Sequence, residues 1–252
     1  AMFGATEYLT VIDEPVSLMV TSIDWALWND HYDIEVISYN GGWRFRGVVG
    51  LFADYIDKWS EIKQNSTGAM REIAKLHLNS LYGKLCSNPN VTGKIPVLGD
   101  DEIVRYTRGI DSRKNPVYTA AGVFITSLAR DMTIRAAQDN YDYFAYADTD
   151  SLHLLTETVP SGLDIHPKRM GAWKLEYEFE EAHFVRAKAY MERKFNGEYK
   201  TAWAGLPRKQ TAMMTFDDLV EGNVIHGKLV PQTVRGGVIL KETPYKLNLR
   251  TI

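Results

Sequence analysis

The sequence contains almost no cysteine, no long apolar run and no large excess of either charge. Its single cysteine, Cys86, excludes an internal disulfide framework and any zinc site built from several cysteines. No stretch approaches the ~20 consecutive apolar residues that a membrane span requires. The first residues also lack the basic and apolar regions of a signal peptide. We therefore expect a protein of a reducing compartment, cytoplasmic and without a membrane partner.

The charge balance limits the kinds of nucleic-acid binder that the chain can be. Lys and Arg total 29 against 32 Asp and Glu, which gives a net charge of −3. That excludes a protein that binds by bulk positive charge, as histones do, although a basic channel can lie within a near-neutral total. The apolar content of 45% across 252 residues predicts one or two folded domains.

The spacing of apolar residues predicts helices in the first half of the chain and mostly strands in the second. Helices are expected at Ser22–His31, at 51–62, from a cap at Ser66 or Thr67 to about Tyr82, and at 119–140. Hairpins are expected at 34–46, within the turn-rich segment 91–116 and at 144–155, and further strands at 173–177, 184–194 and 199–203.

An acidic turn between apolar residues is the first candidate for chemistry. Asp148 and Asp150 lie two apart, and on a tight turn both carboxylates can approach one point. Mg²⁺ commonly uses one or two carboxylates together with substrate phosphates. The alternative is a solvated acidic turn, and the apolar flanks make the two interpretations about equally good.

A polar stripe along the second predicted helix of the central pair is the second candidate. Arg71, Lys75, Asn79 and Tyr82 follow at intervals of four, four and three, and Lys63 lies shortly upstream. Such a stripe suits a triphosphate and sugar laid along the helix. A solvent-exposed helix face is the alternative, and taken alone it is the better one.

Two weaker signals follow further along the chain. Lys188 and Tyr190 fall on a predicted strand and would share one face, which suits a nucleic-acid backbone. An exposed edge strand protected by lysines is a strong alternative for this segment alone. Thr126 and Arg130 lie four apart on one helix face. His77 is expected to pack or to meet solvent, without a catalytic role.

Taken together, these segments resemble the family B DNA polymerases, and most closely their protein-primed phage subgroup. Four segments carry the resemblance, and they follow the family's order. The fingers motif is matched by Lys75-Leu-His-Leu-Asn79-Ser-Leu-Tyr82-Gly83, and a primer–template motif by Thr126-Ser-Leu-Ala-Arg130, with Ala129 where Gly is frequent. The palm motif is matched by Tyr146-Ala-Asp148-Thr149-Asp150-Ser151, and the KxY motif by Lys188-Ala-Tyr190. The subgroup is also suggested by residues 51–59, 87–94 and 115–119.

The resemblance implies a role for each candidate. Asp148 and Asp150 would be the catalytic and metal-site carboxylates for Mg²⁺, with Mn²⁺ as an alternative, and Asp150 the more essential. Lys63, Arg71, Lys75, Asn79 and Tyr82 would bind the dNTP, whereas Thr126, Arg130, Lys188 and Tyr190 would bind primer–template DNA.

The resemblance also implies an α+β fold with an incomplete palm, an antiparallel sheet backed by helices. By this comparison the chain divides into a remnant of the palm and of the priming-protein insertion (1–50), fingers formed by a helical hairpin (51–90), a strand-displacement-type β-hairpin insertion (91–118), palm (119–180) and a β-rich thumb (181–252).

The family's D-x2-S-L-Y-P motif, which supplies the other metal-bridging Asp, is absent from the sequence, as is the D-x-E motif of the 3′–5′ exonuclease. We therefore expect a carboxy-terminal fragment that is nearly inactive alone, whether a truncated piece, a prophage remnant or half of a split enzyme. Its expected partners are DNA, dNTP, a terminal priming protein, the missing amino-terminal part and a second copy bound through an exposed sheet edge, in the cytoplasm of a bacterial host.

Two alternatives stay open. The chain could be a non-catalytic DNA-binding or interaction module, because the elements that grip DNA are present while the metal cage is incomplete. It could also be an unrelated metal-dependent phosphohydrolase that uses only the turn at Asp148 and Asp150. The second alternative leaves the helical stripe and the Lys188–Tyr190 segment unexplained.

Overall fold

The computed structural model describes residues 11–87, 90–91, 93–109, 112–113 and 118–249, with only the backbone of the two short pairs 90–91 and 112–113. The chain divides into two compact units. Unit 1 comprises Ala1–Cys86 and Tyr118–Met132, and unit 2 comprises Ser87–Val117 and Thr133–Ile252. No helix within the described ranges is long and apolar enough to cross a membrane.

The regular structure of unit 1 among the described residues is helical, and its helices lie where the apolar spacing predicts them. Its helices are α1 (Ser22–His31), α2 (Ala53–Asn65), α3 (Gly68–Leu85) and the first part of α4 (Thr119–Asp139). Helix α1 begins at Thr21, whose hydroxyl accepts a hydrogen bond from the Asp24 amide. Helix α3 begins after Thr67, one of the two predicted caps, but the Thr67 side chain makes no capping hydrogen bond.

Helices α2 and α3 form the predicted helical hairpin, and His77 lies in its interior contacts. The Trp59 ring stacks on the His77 imidazole with a centroid distance of 3.8 Å and an angle of 5° between planes. The Tyr55 hydroxyl lies 3.0 Å from His77 Nδ1 and 3.1 Å from the His77 carbonyl oxygen. The expectation that His77 is a packing residue is therefore confirmed.

Unit 2 consists mostly of antiparallel strand pairs. Its strands are β1 (Asn90–Val91), β2 (Lys94–Leu98), β3 (Val104–Arg108), β4 (Ser112–Arg113), β5 (Phe144–Asp148), β6 (Ser151–Leu154), β7 (Phe179–Arg186), β8 (Ala189–Lys194), β9 (Tyr199–Trp203), β10 (Val224–Val234) and β11 (Gly237–Lys246). Strands β7, β8 and β9 form one sheet, whereas β1 pairs with β4, β2 with β3, β5 with β6 and β10 with β11. A short helix α5 (Arg208–Thr211) follows β9.

The core of unit 2 lies behind the three-stranded sheet. Its buried residues are Ala189, Met191, Trp203, Met214 and Leu247. Because side chains alternate along a strand, Ala189 and Met191 occupy this face of β8 while Tyr190 and Glu192 occupy the other. Strand β8 is therefore buried on both sides, which fixes the position of its polar residues.

Three of the predicted strand regions differ from the structure. Residues 34–46 contain no regular strand, and much of the apolar surface there stays uncovered, since Trp43 is 83% exposed. An isolated hairpin without a packed face is marginal in water. Residues 173–177 are also not a strand, apart from a single bridge between Trp173 and Ile165. The predicted strand 184–194 is interrupted by a turn, so that it forms parts of β7 and β8.

Candidate functional site

The acidic turn lies where β5 meets β6. Asp148 pairs with Ser151, which leaves Thr149 and Asp150 as a two-residue connection. The Asp150 amide donates a 2.6 Å hydrogen bond to the Asp148 carbonyl, and Thr149 between them has a φ of +57°. This combination is typical of the rare classic γ-turn, a conformation that a β-branched residue seldom adopts. The predicted acidic hairpin is confirmed, with a sharper turn than the sequence indicates.

Helix α4 supports this turn from behind. The Thr133 hydroxyl, within the part of α4 that belongs to unit 2, donates a 3.2 Å hydrogen bond to the Thr149 carbonyl oxygen. The Thr149 hydroxyl in turn donates to Asp148 Oδ1 at 3.0 Å. The expectation that a small antiparallel sheet carries the acidic turn and is backed by this helix is thus confirmed.

Lys188 reaches the acidic turn from the neighbouring hairpin. Its ammonium nitrogen lies 2.5 Å from Asp148 Oδ1 and 3.5 Å from the Thr149 hydroxyl. Lys188 stands in the turn between β7 and β8, with a φ of +59°, and not on a strand. The prediction that Lys188 shares a strand face with Tyr190 is therefore wrong. The structure does, however, bring two of the predicted site residues together, Lys188 and Asp148.

This contact shifts the pKa of both partners in the directions that favour the charged pair. The hydrogen bond from Lys188 lowers the pKa of Asp148, against the opposing effect of burial. The hydrogen bond to Asp148 likewise raises the pKa of Lys188, and the nearby charge of Asp150 adds a smaller contribution of the same sign. The Lys188 side chain is 59% exposed, so solvent screens much of this attraction.

Four rings join the two hairpins beneath the ion pair. Tyr146 on β5, His153 on β6, Phe184 on β7 and Tyr190 on β8 are all in mutual contact, with centroid distances from 4.9 to 5.9 Å. We call these four residues the ring cluster. The Tyr146 hydroxyl accepts a 2.8 Å hydrogen bond from the Lys188 amide, so the cluster reaches the lysine turn directly.

Tyr190 is part of this cluster and is half-buried. Burial, followed by the charge of Glu192, raises the pKa of the Tyr190 hydroxyl to about 12. The phenol therefore stays neutral throughout the physiological range and can act only as a hydrogen-bonding group.

The helical stripe lies in unit 1. Arg71, Lys75, Asn79 and Tyr82 are exposed on α3, and Lys63 is half-buried at the end of α2. None of these five side chains makes a hydrogen bond or ion pair with another residue in the described part of the chain. The stripe is thus available to a ligand, and its convergence with the acidic turn of unit 2 stays a prediction.

The Thr126 and Arg130 pair has internal partners in unit 1. The Thr126 hydroxyl donates a 2.7 Å hydrogen bond to the Val123 carbonyl oxygen of its own helix. Arg130 donates to both carboxylate oxygens of Asp24 on α1, at distances from 2.8 to 3.1 Å. Half of the Arg130 side chain stays exposed, so a DNA contact would have to share this arginine with Asp24.

A divalent cation has a partial set of ligands at the acidic turn. Asp148 and Asp150 offer carboxylate oxygens, which are the donors that Mg²⁺ prefers, and Mg²⁺ sites often combine one or two carboxylates with substrate phosphates. Among the described residues no group of three or more His, Cys, Asp or Glu could hold a metal ion. The residues present therefore fit part of a magnesium site, whose other ligands would have to come from outside this group of residues.

The sequence reasoning missed the residues that join the two hairpins. His153, Phe184 and Glu192 contribute no motif, and Tyr146 attracts notice only as a flank of the acidic pair. One signal was available, since Glu192 follows Tyr190 by two and so faces the same side of the strand. Asp24, the partner of Arg130, carries no such signal.

Comparison with known proteins identifies the class. The family model described as DNA polymerase type B, organellar and viral, matches residues 4–164. The chain therefore belongs to this family of type B DNA polymerases.

Its relatives include the DNA polymerase of Bacillus phage Nf, which is 39% identical over 97% of this chain and 46% of its own length. The DNA polymerases of Bacillus phage phi29 and Streptococcus phage Cp-1 are 37% and 34% identical, over 93% and 96% of the chain.

Solved structures agree with the sequence comparison. The phi29 DNA polymerase in a ternary complex with primer-template DNA and incoming nucleotide substrates matches with a TM-score of 0.81 and 38% identity, over 89% of this chain and 42% of that one. A post-translocation binary complex of the same polymerase with primer-template DNA matches with a TM-score of 0.78. The α+β fold expected from the resemblance is confirmed, and the chain spans less than half the length of the relatives it matches.

Proposed function

We propose that this chain supplies the fingers, part of the palm and the thumb of a template-directed DNA polymerase. The reaction is attack of a primer 3′-hydroxyl on the α-phosphate of a dNTP, with release of pyrophosphate. The observation that carries the proposal is the meeting of two strained turns, since the Lys188 ammonium lies 2.5 Å from Asp148 at the tip of the acidic hairpin. Backbone strain of this kind concentrates at functional sites.

Asp148 and Asp150 would hold Mg²⁺, or Mn²⁺ in its place. When bound, the ion would neutralise phosphate charge and favour the alkoxide form of the attacking 3′-hydroxyl. The chain's own contribution is to keep the Asp148 carboxylate ionised, and the lysine contact that lowers the pKa of Asp148 serves this purpose. Lys188 then offers a positive charge beside the carboxylates for the phosphate of a primer terminus.

The exposed stripe on α3 would bind the incoming nucleotide. Lys75 and Arg71 are free to neutralise β- and γ-phosphates, and Lys63 lies at the end of the preceding helix. Tyr82, 39% exposed, offers a ring edge for a sugar or base, and Asn79 lies one turn before it.

Tyr190, together with Lys188, would hold the primer end, and Thr126 and Arg130 would contact the primer–template duplex. Most of these contacts would be to the sugar-phosphate backbone of the DNA. Binding of DNA should therefore depend strongly on salt concentration and weakly on base sequence.

The hairpin of β2 and β3 would be the strand-displacement insertion. Its turn meets the tip of the β10–β11 hairpin, because Arg235 donates hydrogen bonds to the Glu102 carboxylate at 2.5 and 2.9 Å. The Gly236 amide also donates to the Glu102 carbonyl at 2.8 Å. We propose that the two hairpins, joined at their tips, enclose a nucleic-acid strand.

The subdomain limits proposed here are those expected from the resemblance: 1–50 for the palm and priming-protein remnant, 51–90 for the fingers, 91–118 for the insertion, 119–180 for the palm and 181–252 for the thumb.

The partners proposed are primer–template DNA, dNTP, a terminal priming protein and a polypeptide that bears the D-x2-S-L-Y-P motif. Two copies of the chain could also pair through β5 or β6, which among the described strands pair only with each other. The setting is the cytoplasm of a bacterium that carries a phage or prophage.

Primer extension tests the polymerase assignment. The chain is assayed with labelled primer–template, dNTPs and Mg²⁺ or Mn²⁺, alone and after addition of a second polypeptide that carries the missing Asp motif. We expect extension only with the second polypeptide, lost in Asp150→Asn and retained in the control Asp142→Asn. Failure of every complementing polypeptide to restore extension would count against the proposal, and robust extension by the chain alone would refute its dependence on the missing motif.

A non-catalytic DNA-binding module is the second candidate. It is favoured by the absence, within the described ranges, of a third acidic or histidine ligand at the acidic turn. This candidate predicts salt-dependent binding of primer–template that Lys188→Ala weakens, with no extension under any complementation. Binding that is unaffected by salt would exclude both candidates.

A further inference from the structure

A carboxylate lies fully buried behind the acidic turn. Glu192 on β8 has no exposed surface, and its two described partners are a histidine and a tyrosine. His153 Nδ1 lies 2.6 Å from Glu192 Oε1, and the Tyr177 hydroxyl donates to Glu192 Oε2 at 2.5 Å. Burial and this contact with Glu192 raise the pKa of Tyr177, so the phenol keeps the proton that it donates.

A buried carboxylate is a costly choice at this position. An apolar side chain of similar size would avoid the desolvation of Glu192 and would often leave a protein equally stable or more so. A buried polar group is retained in some proteins because it selects one arrangement of its neighbours, and here those neighbours lead to the candidate site.

Contacts run without interruption from Glu192 to the ion pair. His153 is enclosed by Tyr146, Phe184 and Tyr190, and its Nε2 atom has no hydrogen-bond partner in the described part of the chain. The Glu192 contact is therefore the hydrogen bond that orients the imidazole. The imidazole packs edge-on against the Tyr146 ring, 5.4 Å between centroids.

Tyr146 completes the connection. Its hydroxyl accepts the 2.8 Å hydrogen bond from the Lys188 amide, at a turn residue with a φ of +59°. A lysine in this conformation depends on its surroundings to stay there. If Tyr146 rotates, the turn loses this acceptor and the ammonium group loses its place beside Asp148.

We propose that Glu192 is a positioning residue that acts through His153 and Tyr146 to hold the Lys188 ammonium against Asp148. Its functional meaning depends on the proposed polymerase site, but the arrangement itself can be tested without any polymerisation, so the two proposals can fail separately.

The test measures acylation of Lys188. The folded chain is treated briefly with a small N-hydroxysuccinimide ester, and modification of Lys188 is quantified by peptide mass spectrometry relative to exposed Lys174 in the same sample. An ammonium group held in an ion pair is acylated slowly. The Asp148→Asn variant gives the reference rate for Lys188 without its ion pair. Glu192→Leu should raise the Lys188 rate roughly two- to fivefold, the range that loss of an exposed ion pair allows.

Two further variants separate positioning from general destabilisation. Glu192→Gln keeps an acceptor for His153, and its amide N–H can donate to the Tyr177 oxygen with the direction of that hydrogen bond reversed. The Lys188 acylation rate of this variant should therefore stay close to that of the original chain. Met191→Ala opens a cavity on the opposite face of β8 and lowers the unfolding temperature, but should leave the Lys188 rate unchanged.

The proposal is overturned if Lys188 in the folded Glu192→Leu variant is acylated at the same rate as in the original chain. It is also overturned if Met191→Ala accelerates the acylation of Lys188 as much as Glu192→Leu does. Should the leucine variant fail to fold, Tyr177→Phe is judged by the same criterion, because it removes one of the two hydrogen bonds to Glu192 and keeps the ring.

Discussion

The Asp24 carboxylate connects α1 to α4, and its replacement by asparagine is a sharp test of how unit 1 is held together. Asp24 is only 6% exposed and accepts hydrogen bonds from Thr21, Ser127 and Arg130. Ser127 is fully buried. Asparagine keeps the shape and one acceptor oxygen, so Asp24→Asn removes the charge with little change in packing.

The expected loss follows from the kind of hydrogen bonds involved. A hydrogen bond to a charged group contributes about 1.5–3 kcal/mol. Arg130 is 52% exposed, so solvent screens its share, and an exposed ion pair contributes at most about 1 kcal/mol. Desolvation of the carboxylate opposes both contributions. We therefore expect Asp24→Asn to lower the free energy of unfolding by about 1–2 kcal/mol at neutral pH.

The same carboxylate predicts a pH dependence. Burial alone raises the pKa of Asp24, but the hydrogen bonds from Ser127, Arg130 and Thr21 outweigh this effect and leave the pKa below its ordinary value. A lowered pKa in the folded state means that the stabilisation is fully present above the unfolded pKa of about 3.9. It is lost as the pH falls through the lower, folded pKa, so the two proteins should converge in stability below about pH 4.

Urea unfolding of the chain and of Asp24→Asn at several pH values measures this difference. Asp33→Asn, an exposed residue beyond the end of α1, is the matched control and should change stability by less than about 0.5 kcal/mol. A difference that is the same at pH 7 and pH 3, or that equals the control, would refute the assignment of charge-assisted bonding to Asp24.

Further predictions concern packing and ligand binding. A Cβ at Gly122 would lie 1.9 Å from the Cys86 sulfur. Gly122→Ala should therefore lower the free energy of unfolding, measured by thermal unfolding, by about 1–3 kcal/mol, and adding Cys86→Ala should recover part of this loss. Strictly additive losses in the double variant would contradict this contact. Lys75→Gln should weaken binding of a fluorescent dNTP analogue about tenfold, because it removes one charged hydrogen bond to the nucleotide. The control Lys84→Gln should leave this binding unchanged. Equal effects of the two substitutions would contradict the assignment of the α3 stripe to nucleotide binding. Glu102→Gln should change stability by less than about 1 kcal/mol yet speed tryptic cleavage within the β2–β3 hairpin, and an unchanged cleavage rate would argue against joined tips.

Local pattern predicts much of the fold because its signals are strong and consecutive. The limits of α1 agree with the sequence prediction residue for residue, and α2 and α3 differ from it by only a few residues. The same holds for the acidic hairpin, since apolar flanks around Asp148 and Asp150 leave few other conformations. Each of these elements depends on contacts between residues close together in the chain.

Prediction fails where a segment has the right alternation but nothing to cover. Residues 34–46 alternate like a hairpin, yet Tyr39 and Trp43 stay more than 80% exposed and no strand forms among them. Inward-facing and outward-facing residues do alternate over 184–194, but the same alternation runs from β7 through the turn into β8. The paired residues Phe184 and Tyr190 are therefore both even-numbered, as they would be on one continuous strand. Periodicity cannot distinguish one long strand from two short ones in this case.

The site is less predictable than the fold because its contacts join distant parts of the chain. Arg130 and Asp24 are separated by 106 positions, and Lys188 and Asp148 by 40. Motif spacing selects the right residue types, but it does not reveal that Arg130 already has a carboxylate partner. It also cannot show that a lysine reaches the acidic turn from a turn of its own.

The two turns of the site explain why this geometry needs support from other elements of unit 2. Thr149 and Lys188 both have positive φ values, and neither is a glycine or asparagine for which that conformation is cheap. Each such residue costs about 1–3 kcal/mol. Hydrogen bonds within the acidic turn offset part of this cost at Thr149. Further compensation comes from α4 through Thr133, from the ring cluster and from the attraction between the two turns. Since this support is tertiary, the charge pair can form only after both hairpins have packed together, which makes its integrity a direct indicator of correct assembly at the site.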